Sequence, residues 1–345
     1  VVSLLRLLVG GAAVLVAVLA VTGWFVFAPR PPSPSGPHAV ARLELVLRDR
    51  AGAPIVVTVW HPRDLATAVP LILYSPGWGA LRTQSSLQAE NLASHGFVVV
   101  ACDDIAADPA TDPDRGVSFE LTSDAATAGS IERAGRHAVA QAERLLAVLR
   151  ALEAGQAAAL AGRLDLARIG VLGYSIGGAS GLAAALTDRR IAAVVNVDGG
   201  LFGPSAEEIG VAGYFLISSR EAFPTEAELR SPDAFTRNYA MISALDIPRN
   251  RRRMERPGGY WVQLPAAEHA DLSDALFQPS HATLFRPNAQ RRALLSAVEA
   301  FEVAFFMSTL KGETAPFAAL LGRSDQTVRW ISPTVPPAGA ASARQ

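Results

Sequence analysis

Residues 168–186 read RIGVLGYSIGGASGLAAAL. An apolar, strand-like run ends in Gly173-Tyr174-Ser175-Ile176-Gly177 and passes directly into an alanine-rich segment of high helix propensity. A serine between two glycines at a strand-to-helix junction makes the sharp turn that lifts a hydroxyl above the edge of a sheet. The glycines remove side chains that would obstruct its strained backbone. Ordinary turns also carry short Gly/Ser patterns. The reading therefore depends on whether the rest of the chain supplies a parallel sheet and the partners a nucleophilic serine needs.

Upstream, RLELVL (42–47) and PIVVTVW (54–60) have the pattern of an opening antiparallel pair, and VPLILYS (69–75) and GFVVVAC (96–102) that of buried strands. Between the latter two, TQSSLQAENLASH has helical character and stops at Gly96. A helix over about 131–154 precedes the strand that leads to Ser175. Downstream come IAAVVNVD, GYFLISS and GYWVQLP as strands, then AQRRALLSAVEAFEVAFFMSTL as a closing helix with an apolar stripe. Strands alternating with helices predict an α/β domain over 39–331, with a mostly parallel central sheet covered by helices on both faces.

The chain is 345 residues long, half of them hydrophobic, with a net charge of −1, which fits a full core and gives no bias toward nucleic acid. One cysteine, Cys102, excludes an intramolecular disulfide and a cysteine metal cluster, and its apolar surroundings mark a buried thiol. Residues 7–28 carry no charge and as a helix would extend about 33 Å, enough to cross a bilayer. They read as an uncleaved transmembrane anchor within 1–28, with a cleaved signal sequence and secretion as the alternative. The following PRPPSPSGPH (29–38) reads as a semi-rigid linker, and 332–345 as a disordered tail. Arg6 precedes the span while Arg30, Arg42 and Arg48 follow it, against the simplest charge rule. A long domain translocates regardless, so the expectation is a domain outside the cytoplasm.

A serine nucleophile needs a base, and the base a carboxylate that fixes its tautomer. In a sheet of this kind the chain order is Ser, acid, His. Of the histidines only His269 and His281 follow Ser175, and His269, directly after the strand GYWVQL, is the candidate base; His281 reads as a surface or loop-packing residue. Asp198, which ends the strand AAVVNVD and precedes two glycines, is the candidate acid, with Glu221 after the next strand as runner-up. The oxyanion needs two N–H donors. Ile176, which follows the nucleophile, and Trp78 in SPGWG, after an earlier strand, stand in the right places.

SPGWGALRTQSSLQAENLASHGFVVVACDD, GYSIGG, VNVDGG, ISSREAF and EHADLSD occur in that order. Over roughly residues 41–310 they resemble the successive blocks of the platelet-activating factor acetylhydrolase family of α/β-hydrolases. The resemblance implies Ser175 as nucleophile, Asp198 as acid, His269 as base, and Trp78 and Ile176 as backbone donors. Pro76 stands where that family commonly has histidine, and the SPGW and LASHGFVV blocks are also similar to cutinase-like polyester hydrolases and dienelactone-hydrolase relatives. Reaction type therefore transfers better than substrate.

The expected function is hydrolysis of short-acyl or lipid-like esters through an acyl-enzyme. Acyl transfer, polyester hydrolysis and a catalytically silent membrane-anchored binding protein are the alternatives. No metal-ligand spacing or phosphate-binding loop points to a cofactor. An acidic segment with Asp108, Asp112, Asp114, Glu120 and Asp124 could rim the site. The basic run PRNRRRMERP (248–257) reads either as a solvated loop or as a contact for anionic lipid headgroups.

Overall fold

A computed structural model describes Leu15, Val18 and residues 28–107, 119–207, 210–211, 213–278, 286–321, 323, 325 and 327–332. The expected anchor, the tail beyond Ser332, His281, and Asp108, Asp112 and Asp114 of the acidic segment lie outside the described residues, apart from Leu15, Val18 and Ala28. Among those described, the helix long and apolar enough to span a bilayer is Asn288–Lys311, and most of it is buried in the core.

All eight expected strands form. They are β1 (Val40–Arg48), β2 (Pro54–Pro62), β3 (Val69–Ser75), β4 (Val98–Cys102), β5 (Leu164–Tyr174), β6 (Ile191–Val197), β7 (Gly213–Ser218) and β8 (Gly259–Gln263). A ninth, β9 (Arg329–Ser332), pairs antiparallel with β8 and was not legible as a strand, being four residues long. The order is β1-β2-β4-β3-β5-β6-β7-β8-β9, antiparallel at both ends and parallel from β4 through β8. Every parallel strand thus delivers its carboxyl end to the same edge.

The two-residue alternation of strand side chains divides the core. Ile72 and Tyr74 of β3 face one layer with Phe215, Phe301 and Phe305, while Leu71 and Leu73 face the other with Leu145, Leu149 and Trp261. Helices α1 (Ser86–Ser94) and α5 (Asn288–Phe306) cover the first face; α2 (Asp124–Glu153) and α3 (Ile176–Thr187) cover the second.

Two further features were not read from the sequence. Helix α4 (Ala234–Met254) absorbs most of the basic run, so residues 248–254 are helical with Pro248 inside. Proline ordinarily argues against a helix interior because it removes a hydrogen bond, which hid this element. Arg253 is buried there, donates to the Ser205 carbonyl and lies over the Tyr214 ring, while Arg251 and Arg252 stay exposed. The Pro/Ser-rich segment is also not free of the domain. The Ser35 N–H donates to Asn91 Oδ1 (2.8 Å), Gly36 N–H to Ser94 Oγ (2.9 Å) and Arg30 N–H to Asn288 Oδ1 (3.1 Å).

Candidate active site

Ser175 sits between β5 and α3 with φ 55° and ψ −128°. Its N–H donates to the Val197 carbonyl at 2.9 Å, which ties the turn to the end of β6. A Cβ on Gly177 would stand 2.1 Å from the Ser75 carbonyl oxygen, so the helix reaches this close to β3 only because that residue is glycine. The Gly-x-Ser-x-Gly spacing is thus required by backbone contact on the far side of the serine.

Asp198 follows β6 with φ 53°. Its carboxylate Oδ1 accepts the Ser219 N–H (2.7 Å) and its Oδ2 lies 2.8 Å from His269 Nδ1. A carboxylate only accepts, so Nδ1 carries the proton and Nε2 offers its lone pair to the Ser175 hydroxyl, 3.0 Å away. Burial alone would lower the His269 pKa, but the hydrogen bond and charge of Asp198, with the charge of Glu221, outweigh it and raise the value above 6.5.

Glu221 does not reach the imidazole nitrogens. Its Oε1 accepts the His269 backbone N–H (3.2 Å) and its Oε2 accepts the Tyr239 hydroxyl (2.9 Å). The runner-up acid therefore braces the loop that carries the histidine. Tyr174 adds to the same support, stacking on the His269 ring at 5.0 Å and donating its hydroxyl to the His269 carbonyl at 2.9 Å. Tyr174 and Tyr239 were missed in the sequence. Tyr174 lies inside the serine motif and was available as a signal, whereas Tyr239 sits on the helix that was not foreseen.

Trp78 follows β3 in a turn fastened by the Gly77 N–H donating to Gln84 Oε1 (2.7 Å). The N–H groups of Trp78 and Ile176 have no acceptor among the described residues, and both residues line the cavity at Ser175. The space is about 250 Å³ and mostly apolar in its walls, with Phe119, Phe202, Phe235 and Trp261 around Ser175, and Asn250 and Asp246 at its polar margin. Burial raises the Asp246 pKa to about 6 against the hydrogen bonds from the Leu201 N–H and Arg249 that lower it. Of the acidic segment, Glu120 is described and is held by Ser130, whose hydroxyl donates to the Glu120 carbonyl and accepts the Glu120 N–H, while Asp124 opens α2. No group of three His, Cys, Asp or Glu able to hold a metal occurs among the described residues.

The sheet order, the turn at Ser175 and the loops that converge on it are those of an α/β-hydrolase fold. A ferulic acid esterase from Streptomyces cinnamoneus shares it with a TM-score of 0.60 and 22% identity, over 87% of this chain and 98% of that one. The chain is also distantly homologous to a probable 1-alkyl-2-acetylglycerophosphocholine esterase of Arthroderma benhamiae, 29% identical over 151 residues. That match spans 42% of this chain and 35% of the fungal protein. No protein-family model matches.

Proposed function

We propose that the protein is a serine carboxylic ester hydrolase acting on short-acyl or lipid-like esters. The observation that carries this reading is the continuous Ser175–His269–Asp198 hydrogen-bond chain, opening on an apolar cavity beside two unpaired backbone donors. The fungal relative and the Streptomyces esterase support ester chemistry by name and leave the substrate of this chain to experiment.

In the proposed reaction His269 Nε2 takes the Ser175 proton as Oγ attacks the ester carbonyl carbon. The carbonyl oxygen becomes an oxyanion received by the Trp78 and Ile176 N–H groups. Collapse breaks the bond to the alcohol oxygen, which leaves with the proton from the imidazolium. Water then attacks the acyl-serine by the same route, releasing the acid and restoring Ser175. Asp198 stays ionised throughout and stabilises the imidazolium. We extend the proposal to an anchor over residues 7–28 that holds the domain outside the cytoplasm, supported by the uncharged composition of that stretch.

The test is hydrolysis of p-nitrophenyl acetate, butyrate and octanoate, with fluorophosphonate labelling of Ser175 and Ser175→Ala as control. Turnover and labelling that both vanish in the variant support the reading, and the acyl-length profile identifies the substrate class. A folded wild-type protein that neither turns over nor labels would sink it.

A further inference from the structure

Helix α2 places His137 and Gln141, one turn apart and both buried, against the turn after β4. Gln141 Oε1 accepts the Ile105 N–H at 3.0 Å. His137 Nε2 lies 2.8 Å from Asp104 Oδ2, with both side chains wholly buried. The other oxygen of Asp104 accepts the Gly79 N–H (2.8 Å) and the Ala106 N–H (3.0 Å), and the Asp104 N–H donates to the Ala80 carbonyl (3.0 Å). The imidazole of His137 stacks on the Trp78 indole, centroids 4.1 Å apart and planes within 17°. Its Nδ1 has no partner among the described residues, so Asp104 supplies the ring's one hydrogen bond among them.

A buried carboxylate is costly unless its oxygens are filled by donors, and here two of the donors adjoin Trp78: the N–H of the next residue and the imidazole against its ring. The residue after Trp78 is bonded to Asp104, and the Trp78 ring rests on the histidine that the same aspartate holds. The neighbouring Asp103 fastens the far end of the turn, accepting the Arg82 N–H (2.7 Å) and its guanidinium (2.8 Å). The Gly77–Arg82 turn is thus fixed at Gly77, Gly79, Ala80 and Arg82, with the Trp78 N–H left free between the first two.

Building on the proposed hydrolase reading, we propose that Asp104 and His137 are positioning residues for the oxyanion: they clamp the Trp78 peptide from below so that its N–H is aimed at the substrate oxygen before substrate arrives. Neither residue touches substrate; both act through Trp78. The arrangement explains two buried polar residues that the Ser175–His269–Asp198 chain does not use. It also explains why the first of the two oxyanion donors, which has no helix behind it as Ile176 does, can be held still. Preorganised donors stabilise the transition state because they need no reorganisation as charge develops.

The test compares Asp104→Asn, His137→Leu and His137→Gln with wild type on p-nitrophenyl butyrate, alongside thermal melting and inhibition by a trifluoromethyl ketone. The inhibitor's serine adduct carries an oxyanion in the same position. A misaimed donor costs about tenfold to a hundredfold in kcat with KM nearly unchanged, and the inhibition constant rises by the same factor. His137→Gln, which can still donate to Asp104, recovers part of what His137→Leu loses. A folded Asp104→Asn protein with wild-type kcat and wild-type inhibition overturns the proposal, as does a loss confined to melting temperature. Amide exchange in the wild-type protein gives a reading independent of any variant. The Gly79 N–H is expected to be protected and the Trp78 N–H to exchange freely until a phosphonate occupies Ser175. Rapid exchange at Gly79 in the folded protein also overturns the proposal. Labelling of Ser175 by fluorophosphonate separates these outcomes from failure of the hydrolase reading itself.

Discussion

Ser175 and Asp198 are the two non-glycine residues with positive φ among those described, at 55° and 53°, and they are hydrogen-bonded to successive strands of one sheet. Such a conformation costs on the order of 1–3 kcal/mol per residue. The strain is held by pairing: the Ser175 N–H donates to Val197 in β6 and the Asp198 N–H to Ile217 in β7. A Cβ on Gly199 would lie 2.1 Å from the Ser175 carbonyl oxygen, so the two strained residues are also packed backbone to backbone.

The two candidate acids make different predictions. Asp198→Asn leaves the site intact in shape but offers an amide to Nδ1, and kcat should fall by about 10⁴-fold. Glu221→Gln keeps an acceptor for the His269 N–H, and its effect should stay within about tenfold. Equal losses in the two variants would return Glu221 to candidacy as the acid. The comparison needs only kcat and a melting curve for each protein.

The pH profile follows from His269. Its pKa is raised above 6.5 because the hydrogen bond and charge of Asp198 overcome burial. The base must be neutral, so kcat/KM rises with pH and its acid limb should inflect above 6.5. In Asp198→Asn the inflection should move to lower pH. The sign for stability is opposite: a group whose folded pKa is raised stabilises fully below its unfolded value and loses that contribution as pH rises through the folded one. The Asp198–His269 pair therefore ceases to stabilise the fold over the interval in which it becomes an active base. A pH–rate profile with an inflection below 6.5 would contradict this.

The strands and the Ser175, Asp198 and His269 trio were legible because each announces itself locally, by alternating or apolar runs, by glycines beside the serine and the acid, and by a histidine following a strand. What escaped depends on tertiary contact. Helix α4 was hidden by Pro248 and by a basic run that looked solvated, and with it went Tyr239 and the cavity wall at Phe235, Ile242 and Asn250. Strand β9 has four residues and exists because β8 offers an open edge. The Asp104–His137 pair joins residues 33 apart, and the sequence gives no sign that their side chains meet.

The docked segment before β1 predicts a stability difference between two shortened chains. Asn91 and Ser94 are buried, and the Ser35 and Gly36 N–H groups fill acceptors on them. A chain beginning at Ala39 leaves those acceptors unfilled, at about 1–3 kcal/mol for each that stays buried. It should melt several degrees below one beginning at Arg30, roughly 2–4 °C per kcal/mol for a domain of about this size. Identical melting temperatures would mean that these hydrogen bonds contribute nothing net, and catalytic constants should be the same in both.

Beneath α1 and α5 lies a group of carboxyls whose ionisation opposes the fold. Glu302 is wholly buried, neither of its side-chain oxygens has a partner among the described residues, and burial holds its pKa well above the usual carboxyl range. Burial also raises Glu299 to about 8 and Asp274 to about 7. These groups are protonated in the folded protein at a pH where the unfolded chain has already released its protons, so the folded state binds more protons and stability falls as pH rises. The fall begins above the unfolded carboxyl range near 4 to 4.5, deepens through neutral pH, and for Glu299 is complete once pH has passed about 8. Glu302→Gln keeps the shape without an ionisable group. Its melting temperature should exceed that of wild type at pH 9 by at least about 2 °C, and the two should converge toward pH 5. Parallel melting curves across that range would show that Glu302 does not ionise with unfolding, and the alkaline loss would then belong to Glu299 and Asp274.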